Sequence, residues 1–236
     1  MHELRPLEPV EPLAQGWKPI PVTELVERLT AARRTPTAPC LVAVDGRSAG
    51  GKTTLAASLA AAVPRSAVLH ADDLAWNEPL FGWAHLLVDL LTQVRTGESV
   101  RFQPPAWPQH GRTGAIEVPS GLDLIVVEGV GANDRDVEGQ YDAAVWVQSD
   151  GGAARHRGIE RDVASGENGD RAQSIAFWEE WDRAERSYLA DQRPWERSDL
   201  IVLGTPSEPV PPGHAVVAPG PLRIVNDPSS NSGIVG

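Results

Sequence analysis

The most constraining feature of this 236-residue sequence is one glycine-rich segment, residues 46–53. Its letters, GRSAGGKT, fit the pattern G-x-x-x-x-G-K-[ST] at every fixed position. The apolar run CLVAV precedes the segment and the run LAASLAAAV follows it, which predicts a buried strand before it and a helix after it. Such a turn holds phosphate, because glycines let successive backbone N–H groups point inward at the start of the helix. We therefore predict a phosphate-binding loop.

The residue types in this loop predict a nucleoside triphosphate, ATP, with Mg²⁺. Lys52 adds a point charge near the β- and γ-phosphates, and it is notable because Lys18 is the only other lysine of the chain. The Thr53 hydroxyl suits magnesium, and Thr54 is a candidate contact of the α-phosphate. The alternative is a chance glycine-rich turn. The predicted nucleotide-binding residues are Gly46, Ser48, Ala49, Gly50, Gly51, Lys52, Thr53 and Thr54.

Five short apolar runs alternate with helical patterns along the chain. The runs are residues 39–46, 67–71, 122–129, 141–149 and 199–204, and helical periodicity covers 22–34, 82–95, 152–165 and 172–190. This alternation predicts an α/β fold with a doubly wound parallel sheet of about five strands. We expect one domain over residues 1–236. Within it, 1–20 form an N-terminal strap or tail, 153–195 a helical segment, and 206–236 a proline-rich tail.

Composition narrows the class of protein. The net charge of −11 disfavours coating of nucleic acid, which needs a large basic surface. Cys40 is the only cysteine, so an internally disulfide-linked scaffold is excluded. Neither a long apolar run nor an apolar signal sequence at the start is present. We expect a cytoplasmic protein with no membrane or nucleic-acid partner.

Three carboxylates follow predicted strands. Asp72 and Asp73 end the second strand and Glu128 ends the third, so all three are expected at the edge of the sheet that carries the loop. Phosphoryl transfer needs one carboxylate to deprotonate an acceptor hydroxyl and another to organise magnesium. Asp72 or Asp73 could instead cap a helix, and Glu128 could be an ordinary loop residue. Which of the two aspartates is the base stays open at this point.

Arginines and tryptophans supply the remaining candidates. Arg157 and Arg161 lie one turn apart on a predicted helix, where they could close over a transferring phosphoryl group; a solvated helix with local ion pairs is the alternative. For Arg155 and Arg171, both interpretations, a phosphoryl contact and a local ion pair, stay open. Three tryptophans, Trp76, Trp83 and Trp107, could form a flat apolar wall for an acceptor, or could pack in the core.

The pieces GRSAGGKTT, HADDLAW, VVEG and RHRGIERD, in this order, resemble the uridine kinase and phosphoribulokinase-like branch of the P-loop kinases over about residues 42–202. The resemblance implies a doubly wound sheet of the P-loop kinase type, ATP with Mg²⁺, and a helical lid within 153–195. It implies that Asp72 is the catalytic base, that Glu128 works beside the metal with Thr53, and that Arg157 and Arg161 belong to the lid. The GTPSEP turn is expected near adenine.

The sequence departs from that family on the acceptor side. Gly82 stands where the family carries an aspartate for ribose, and in AWPQHGR Pro108 replaces an acid. The expected function is transfer of the γ-phosphoryl of ATP to a hydroxyl of a small molecule, with a nucleoside such as uridine as the first candidate acceptor. Alternatives are another alcohol (pantothenate, a sugar or an antibiotic) or a regulatory ATP-binding module acting on a protein partner. The oligomeric state stays open. The candidate acceptor-binding residues are Asp73, Trp76, Trp83, Trp107, His110 and Arg112.

Overall fold

The computed structural model describes residues 11–223, and within that range a seven-stranded sheet forms the centre of the molecule. The strands of the described residues are β1 (Lys18–Pro21), β2 (Cys40–Gly46), β3 (Ser66–His70), β4 (Val100–Phe102), β5 (Ile116–Val118), β6 (Leu124–Glu128), β7 (Ala143–Gln148), β8 (Leu200–Leu203) and β9 (His214–Pro219). The helices of the same residues are α1 (Val22–Thr30), α2 (Lys52–Ala61), α3 (Ala71–Ala75), α4 (Ala84–Val94), α5 (Ala106–Gln109), α6 (Gly151–Ser165) and α7 (Arg171–Gln192), with 3-10 turns at Arg135–Gln140 and Pro194–Glu196.

The five predicted strands are confirmed as the parallel part of the sheet. Their spatial order is β3-β6-β2-β7-β8, and every neighbouring pair among them is parallel. The three central strands β6, β2 and β7 are buried along their whole length, as expected of a sheet covered on both faces. Because all five strands run the same way, their carboxyl ends meet at one edge.

Two further strands complete the sheet at one side, and they correct the expected extent of the terminal segments. β9 pairs antiparallel with β8, and β1 pairs antiparallel with β9. Residues 18–20 of the predicted strap and 214–219 of the predicted tail are therefore strands. β1 tolerates its prolines because it is an edge strand. Residues 1–10 and 224–236 of those predicted segments lie outside the described residues.

Helices cover both faces of the sheet, which makes the fold doubly wound as predicted. On one face α1 and α2 pack Leu25 and Leu59 against Val42 and Val126. On the other face the leucine stripe of α4 packs against β2 and β6. Transfer of these apolar side chains out of water is the main favourable term in the folding of such layers. No helix within the described range combines the length and apolarity that a membrane crossing requires.

Residues 97–120, which carry no regular sequence pattern, form a small excursion from the sheet. β4 and β5 pair antiparallel, and the short helix α5 lies between them. This excursion brings Trp107 and Arg112 against Asp73, where they form hydrogen bonds.

Helices α6 and α7 form an antiparallel pair, hereafter the helical hairpin. Each begins with an aspartate cap: Asp150 accepts from the Ala153 N–H, and Asp170 makes a reciprocal capping box with Gln173. The two helices contact closely at Gly158, where an added Cβ would lie 1.9 Å from the ring of Trp178. The Trp178 indole N–H also donates to the buried Asp162 at 2.6 Å.

Gly158→Ala should destabilise the protein by about 1–3 kcal/mol, because the new methyl group overlaps a buried indole that has no room to move. Thermal unfolding followed by circular dichroism measures the effect. Gly139→Ala is the matched control, since a Cβ there meets no atom within 4 Å. Equal melting temperatures for the two variants would contradict close packing of the hairpin at Gly158.

Candidate active site

The phosphate-binding loop, residues 46–53, connects β2 to α2 in the way its sequence predicts. Gly51 ends the loop with φ +105°, in the left-handed region that favours glycine. A Cβ at Gly50 would lie 2.8 Å from the Arg47 carbonyl oxygen and 2.9 Å from the Ser149 hydroxyl. Because of this bend, the first turn of α2 opens at the same edge of the sheet as the ends of β6 and β3.

Lys52 is turned inward rather than toward solvent. Lys52 is only 7% exposed, and its Nζ donates a hydrogen bond to the Arg47 carbonyl oxygen at 2.8 Å. The ammonium group is thus held within the loop, next to the backbone that would receive phosphate.

Oxygen donors suited to magnesium meet beside the loop. The Thr53 hydroxyl donates to Glu128 Oε1 at 3.2 Å, and His70 Nδ1 lies 2.6 Å from the same oxygen. Parallel pairing explains the arrangement, since His70 and Glu128 are register partners on β3 and β6. Residues 11–223 contain no cluster of three or more His, Cys, Asp or Glu that could hold a metal alone. The donor set fits Mg²⁺, which usually binds through one or two carboxylates together with water and phosphate oxygens.

Asp72 and Asp73 differ sharply in their surroundings. Both lie in the first turn of α3, whose N-cap is His70, so neither serves as the helix cap. Partial burial raises the pKa of Asp72, with the negative charge of Glu128 adding to this and the positive charge of Lys52 opposing it. Asp73 instead accepts a hydrogen bond from the Arg112 guanidinium. Asp72 therefore lies within electrostatic reach of Lys52 in the loop, whereas Asp73 contacts the β4–α5–β5 excursion through Arg112.

Five of the six predicted acceptor-binding residues lie together. The Arg112 guanidinium lies 3.6 Å from the ring centroid of Trp107 and 5.5 Å from that of Trp76, and Trp76 meets His110 edge to face. The Trp107 indole donates to the Asp73 carbonyl oxygen at 2.9 Å. Arg112 covers Trp107, so the accessible aromatic surface is that of Trp76.

Trp83 does not join this group. It is 3% exposed and packs in the core among the leucines of α4, with Phe81 at a ring-centroid distance of 5.3 Å. The prediction that Trp83 lines the acceptor site is wrong, and the alternative of core packing holds. Trp83 directly precedes α4 as its N-cap residue and shares a core cluster with Leu86 and Leu90, so its spacing with these leucines reflected packing.

The arginines of the helical hairpin divide into two groups. Arg157 reaches the phosphate-binding loop, where Nη2 donates to the Ala49 carbonyl oxygen at 2.8 Å and to the Thr205 hydroxyl at 3.2 Å. Arg161 donates to its neighbour Asp162 and its side chain is 62% exposed. Arg155 and Arg171 make pairs within the hairpin, with Glu179 at 3.9 Å and Glu160 at 2.6 Å.

Thr54 and the turn after β8 complete the surroundings of the loop. Thr54 is exposed on the first turn of α2. A Cβ at Gly204 would lie 2.0 Å from the Gly50 carbonyl oxygen, so the backbone after β8 touches the loop directly. The GTPSEP turn thus begins beside the loop. Its expected place near adenine stays a prediction.

Asp45 is a buried acid that the sequence analysis missed. It ends β2 and is fully enclosed, and it accepts hydrogen bonds from the backbone N–H groups of Gly46 at 2.7 Å, Asn133 at 2.9 Å and Gly131 at 3.1 Å. Desolvation raises the pKa of Asp45 to about 6, although these hydrogen bonds and the charge of Lys52 oppose the rise. Its signal was visible: an acid ending an apolar strand, as Glu128 does.

Glu185 and Arg47 also contact the loop without having been predicted. The Ser48 N–H donates to Glu185 Oε1 at 2.7 Å. Arg47 is buried, with its Nε 3.9 Å from a carboxylate oxygen of Glu11, and Glu11 in turn accepts from the Trp146 indole at 2.7 Å. The available signal for Glu185 was its place on the apolar stripe of α7, where an acid is out of pattern.

Asp45→Asn should change how stability depends on pH. A carboxyl group whose pKa is higher in the fold than in the unfolded chain favours folding only while protonated. The free energy of unfolding of the wild type, minus that of the variant, should therefore fall by up to about 3 kcal/mol between pH 4 and pH 6, then level off. Urea denaturation at several pH values measures this difference.

Asp199→Asn is the control, because Asp199 is another aspartate that accepts a backbone N–H, from Ala144 at 2.8 Å. A difference curve for Asp45→Asn that is flat across this range would contradict the buried, hard-to-ionise carboxyl group.

Comparison with known proteins identifies the fold. No family model and no curated protein matches the sequence. Among solved structures, the chain is similar to a candidate fructose transport system kinase from Silicibacter sp. TM1040, with 20% identity, a TM-score of 0.53, and coverage of 74% of this chain and 93% of that one. It is also similar to D-glycerate 3-kinase from Cryptococcus neoformans var. grubii, with 14% identity, a TM-score of 0.51, and coverage of 77% and 92%.

A candidate uridine kinase from Bacillus stearothermophilus also matches, with 18% identity, a TM-score of 0.49, and coverage of 76% of this chain and 96% of that one. At such identities the likeness to the two structures above concerns the fold. The chain therefore has the α/β fold, with a mainly parallel sheet, of solved P-loop kinases, as the sequence resemblance predicted.

Proposed function

We propose that the protein is an ATP-dependent kinase that transfers the γ-phosphoryl group of ATP to a hydroxyl of a small molecule. The observation that supports the proposal is that Asp72 lies in the first turn of α3, directly after β3 at the edge of the sheet that carries the loop, within electrostatic reach of Lys52 and Glu128. A base beside a phosphate site is what phosphoryl transfer to an alcohol needs. The likeness in fold to solved kinases supports the same activity.

The loop would bind the triphosphate through its backbone N–H groups and Lys52. In the structure Lys52 Nζ donates to a neutral carbonyl oxygen of Arg47. Exchange of this partner for phosphate oxygens forms charge-assisted bonds, which are stronger. Arg157, which already touches the loop at Ala49, would add positive charge at its rim.

Magnesium would be held by Thr53 and Glu128, whose oxygens lie 3.2 Å apart. When bound, the ion supplies positive charge that offsets the charge of the phosphates. His70 contacts Glu128 at 2.6 Å and would orient this carboxylate through that hydrogen bond. Under this proposal, the carboxylate of Glu128 binds the metal and the carboxylate of Asp72 acts on the acceptor.

Asp72 would accept the proton of the acceptor hydroxyl as the reaction proceeds. The acceptor oxygen forms a bond to the γ-phosphorus, the bond between that phosphorus and the β,γ-bridging oxygen breaks, and ADP leaves. Desolvation by the surrounding protein raises the pKa of Asp72, which makes its carboxylate a stronger base than one with the ordinary pKa of aspartate. Lys52, Arg157 and Arg161 would stabilise the transferring group, so positioning and charge supply most of the rate.

The acceptor would lie against Trp76, His110 and the Asp73–Arg112 pair. The indole offers a flat apolar surface, and the ion pair offers hydrogen-bonding groups at its edge. A nucleoside such as uridine matches a flat surface, and a sugar, pantothenate or an antibiotic alcohol are the other candidates. A screen of these alcohols with labelled ATP identifies the acceptor. ATP consumption that responds to a protein partner and to none of the alcohols would favour a regulatory ATP-binding module instead.

Asp72→Asn should lower kcat by at least 100-fold while ATP affinity stays within about threefold, because the amide cannot accept the hydroxyl proton. Steady-state kinetics with the best acceptor, together with calorimetric titration of ATP, separates the two effects. Asp73→Asn is the comparison variant: loss of its ion pair to Arg112 should raise the acceptor KM more than it lowers kcat. Full activity in Asp72→Asn would remove Asp72 from the mechanism.

Lys52→Ala should weaken ATP binding and lower turnover together, since it removes the inward ammonium group of the loop. We expect losses of at least tenfold in each, measured by titration and by kinetics. Lys18→Ala removes the other lysine, which is exposed on the edge strand β1, and should leave both quantities unchanged. Unaltered ATP affinity in Lys52→Ala would contradict the proposed nucleotide site.

A further inference from the structure

The helical hairpin holds the phosphate-binding loop at two consecutive residues. From α6, Arg157 donates to the Ala49 carbonyl oxygen through Nη2 at 2.8 Å and through Nε at 3.2 Å. From α7, the carboxylate of Glu185 accepts the Ser48 N–H at 2.7 Å. One helix therefore binds a backbone acceptor of the loop and the other binds the adjoining backbone donor.

The two residues held in this way belong to the part of the loop that lacks glycine. Ala49 has φ +54°, in the left-handed region, which is unfavourable for a residue with a Cβ atom. Gly50 and Gly51 follow directly and carry the bend into α2. A backbone conformation of this kind persists only when surrounding contacts hold it, and the contacts at Ser48 and Ala49 come from the hairpin.

Glu185 is a carboxylate in an apolar setting. Its residue is 4% exposed on the buried stripe of α7 that also carries Trp178 and Leu189. Besides the Ser48 N–H, the Trp181 indole donates to the same oxygen at 3.4 Å. A carboxylate in such a place is costly unless N–H groups satisfy it, and bonds to an ionised acceptor are stronger than neutral ones. The shorter of its two hydrogen bonds is the one to the loop.

We propose that Glu185 is a positioning residue of the nucleotide site, a proposal that rests on the proposed function. It touches no substrate; it acts through Ser48, whose N–H it holds so that the N–H groups of residues 49–53 keep one concave arrangement before ATP arrives. Without this contact the loop has to order itself during binding, and that loss of conformational freedom weakens affinity. Through the same hydrogen bond, Glu185 connects the loop to the helical hairpin, which also contacts the loop through Arg157.

The test uses the full chain and three variants of α7. Glu185→Ala removes the acceptor of the Ser48 N–H. Glu185→Gln removes the charge but retains a side-chain oxygen at the same reach, and Glu179→Ala is the control, an exposed glutamate of the same helix paired with Arg155. Calorimetric titration gives ATP affinity, kinetics give KM for ATP and kcat, and hydrogen exchange of the peptide covering residues 46–53 reports on the loop itself.

Glu185→Ala should bind ATP at least tenfold more weakly, raise KM for ATP more than it lowers kcat, and exchange loop amides faster. Glu185→Gln should restore most of the affinity, and Glu179→Ala should match the wild type. Restoration by the amide is the sign of positioning, because a merely structural role would lower the melting temperature without this pattern. Wild-type affinity and wild-type exchange in Glu185→Ala would overturn the proposal.

The outcomes also separate this proposal from the proposed function. If the wild type binds no ATP, the proposed function fails, and Glu185 has no nucleotide site to position. If the wild type binds ATP and Glu185→Ala binds equally well, only the role of Glu185 fails. Should Glu185→Ala not fold, Glu185→Asp takes its place: its carboxylate is one methylene shorter, so weaker ATP binding by a folded protein supports the proposal, and unchanged binding overturns it.

Discussion

Parallel pairing of β2 with both β6 and β7 is the constraint on which the rest of the structure depends. β2 lies at the centre of the sheet, and its last residues are in register with Glu128 on one side and Val147 on the other. This pairing places the phosphate-binding loop at the edge of the sheet where Glu128 lies beside Thr53. The first turn of α3, which carries Asp72, begins at the same edge. The candidate site is therefore a consequence of strand direction, since parallel strands end at a common edge.

Charged groups beneath the loop complement those that open into the cleft. Asp45 receives three backbone N–H groups, and Glu185 receives one. Arg47, a buried residue of the loop itself, has its Nε 3.9 Å from a carboxylate oxygen of Glu11 in the N-terminal segment. Each is expensive to bury alone, and Asp45 and Glu185 accept backbone N–H groups of the loop or of the segment after β6. These two carboxylates therefore hold in place the backbone around the inward Lys52.

Sequence reasoning predicted the elements whose signals are local. The glycine-rich motif, the five apolar strands and the acid Glu128 at a strand end need only neighbours along the chain, and the structure has all of them. Asp72 and Asp73 lie just past the end of β3, in the first turn of α3. The prediction for Trp83 was wrong because it relied on the closeness of Trp83 in sequence to the candidate acceptor segments, whereas its spacing with the leucines of α4 indicated core packing. Glu185 was missed because its partner, Ser48, lies 137 residues away, and no local pattern announces such a contact. The strand β1 was missed because a short proline-containing edge strand carries little signal. The strand β9 lies between β1 and β8, and its short apolar run HAVVA was assigned to the proline-rich tail.

By itself, the sequence determined the loop, its flanking strand and helix, and the order of strands and helices that makes a parallel sheet, since these follow from backbone sterics and the periodicity of apolar side chains. It also placed Asp72, Asp73 and Glu128 at or just after strand ends. Only the tertiary structure decided that Asp72 lies within reach of Lys52 while Asp73 pairs with Arg112, that Arg112 covers Trp107, and that a carboxylate of α7 holds Ser48. These outcomes depend on contacts between groups that are not neighbours in the sequence. Such contacts are determined by how the whole chain packs, not by any local sequence pattern.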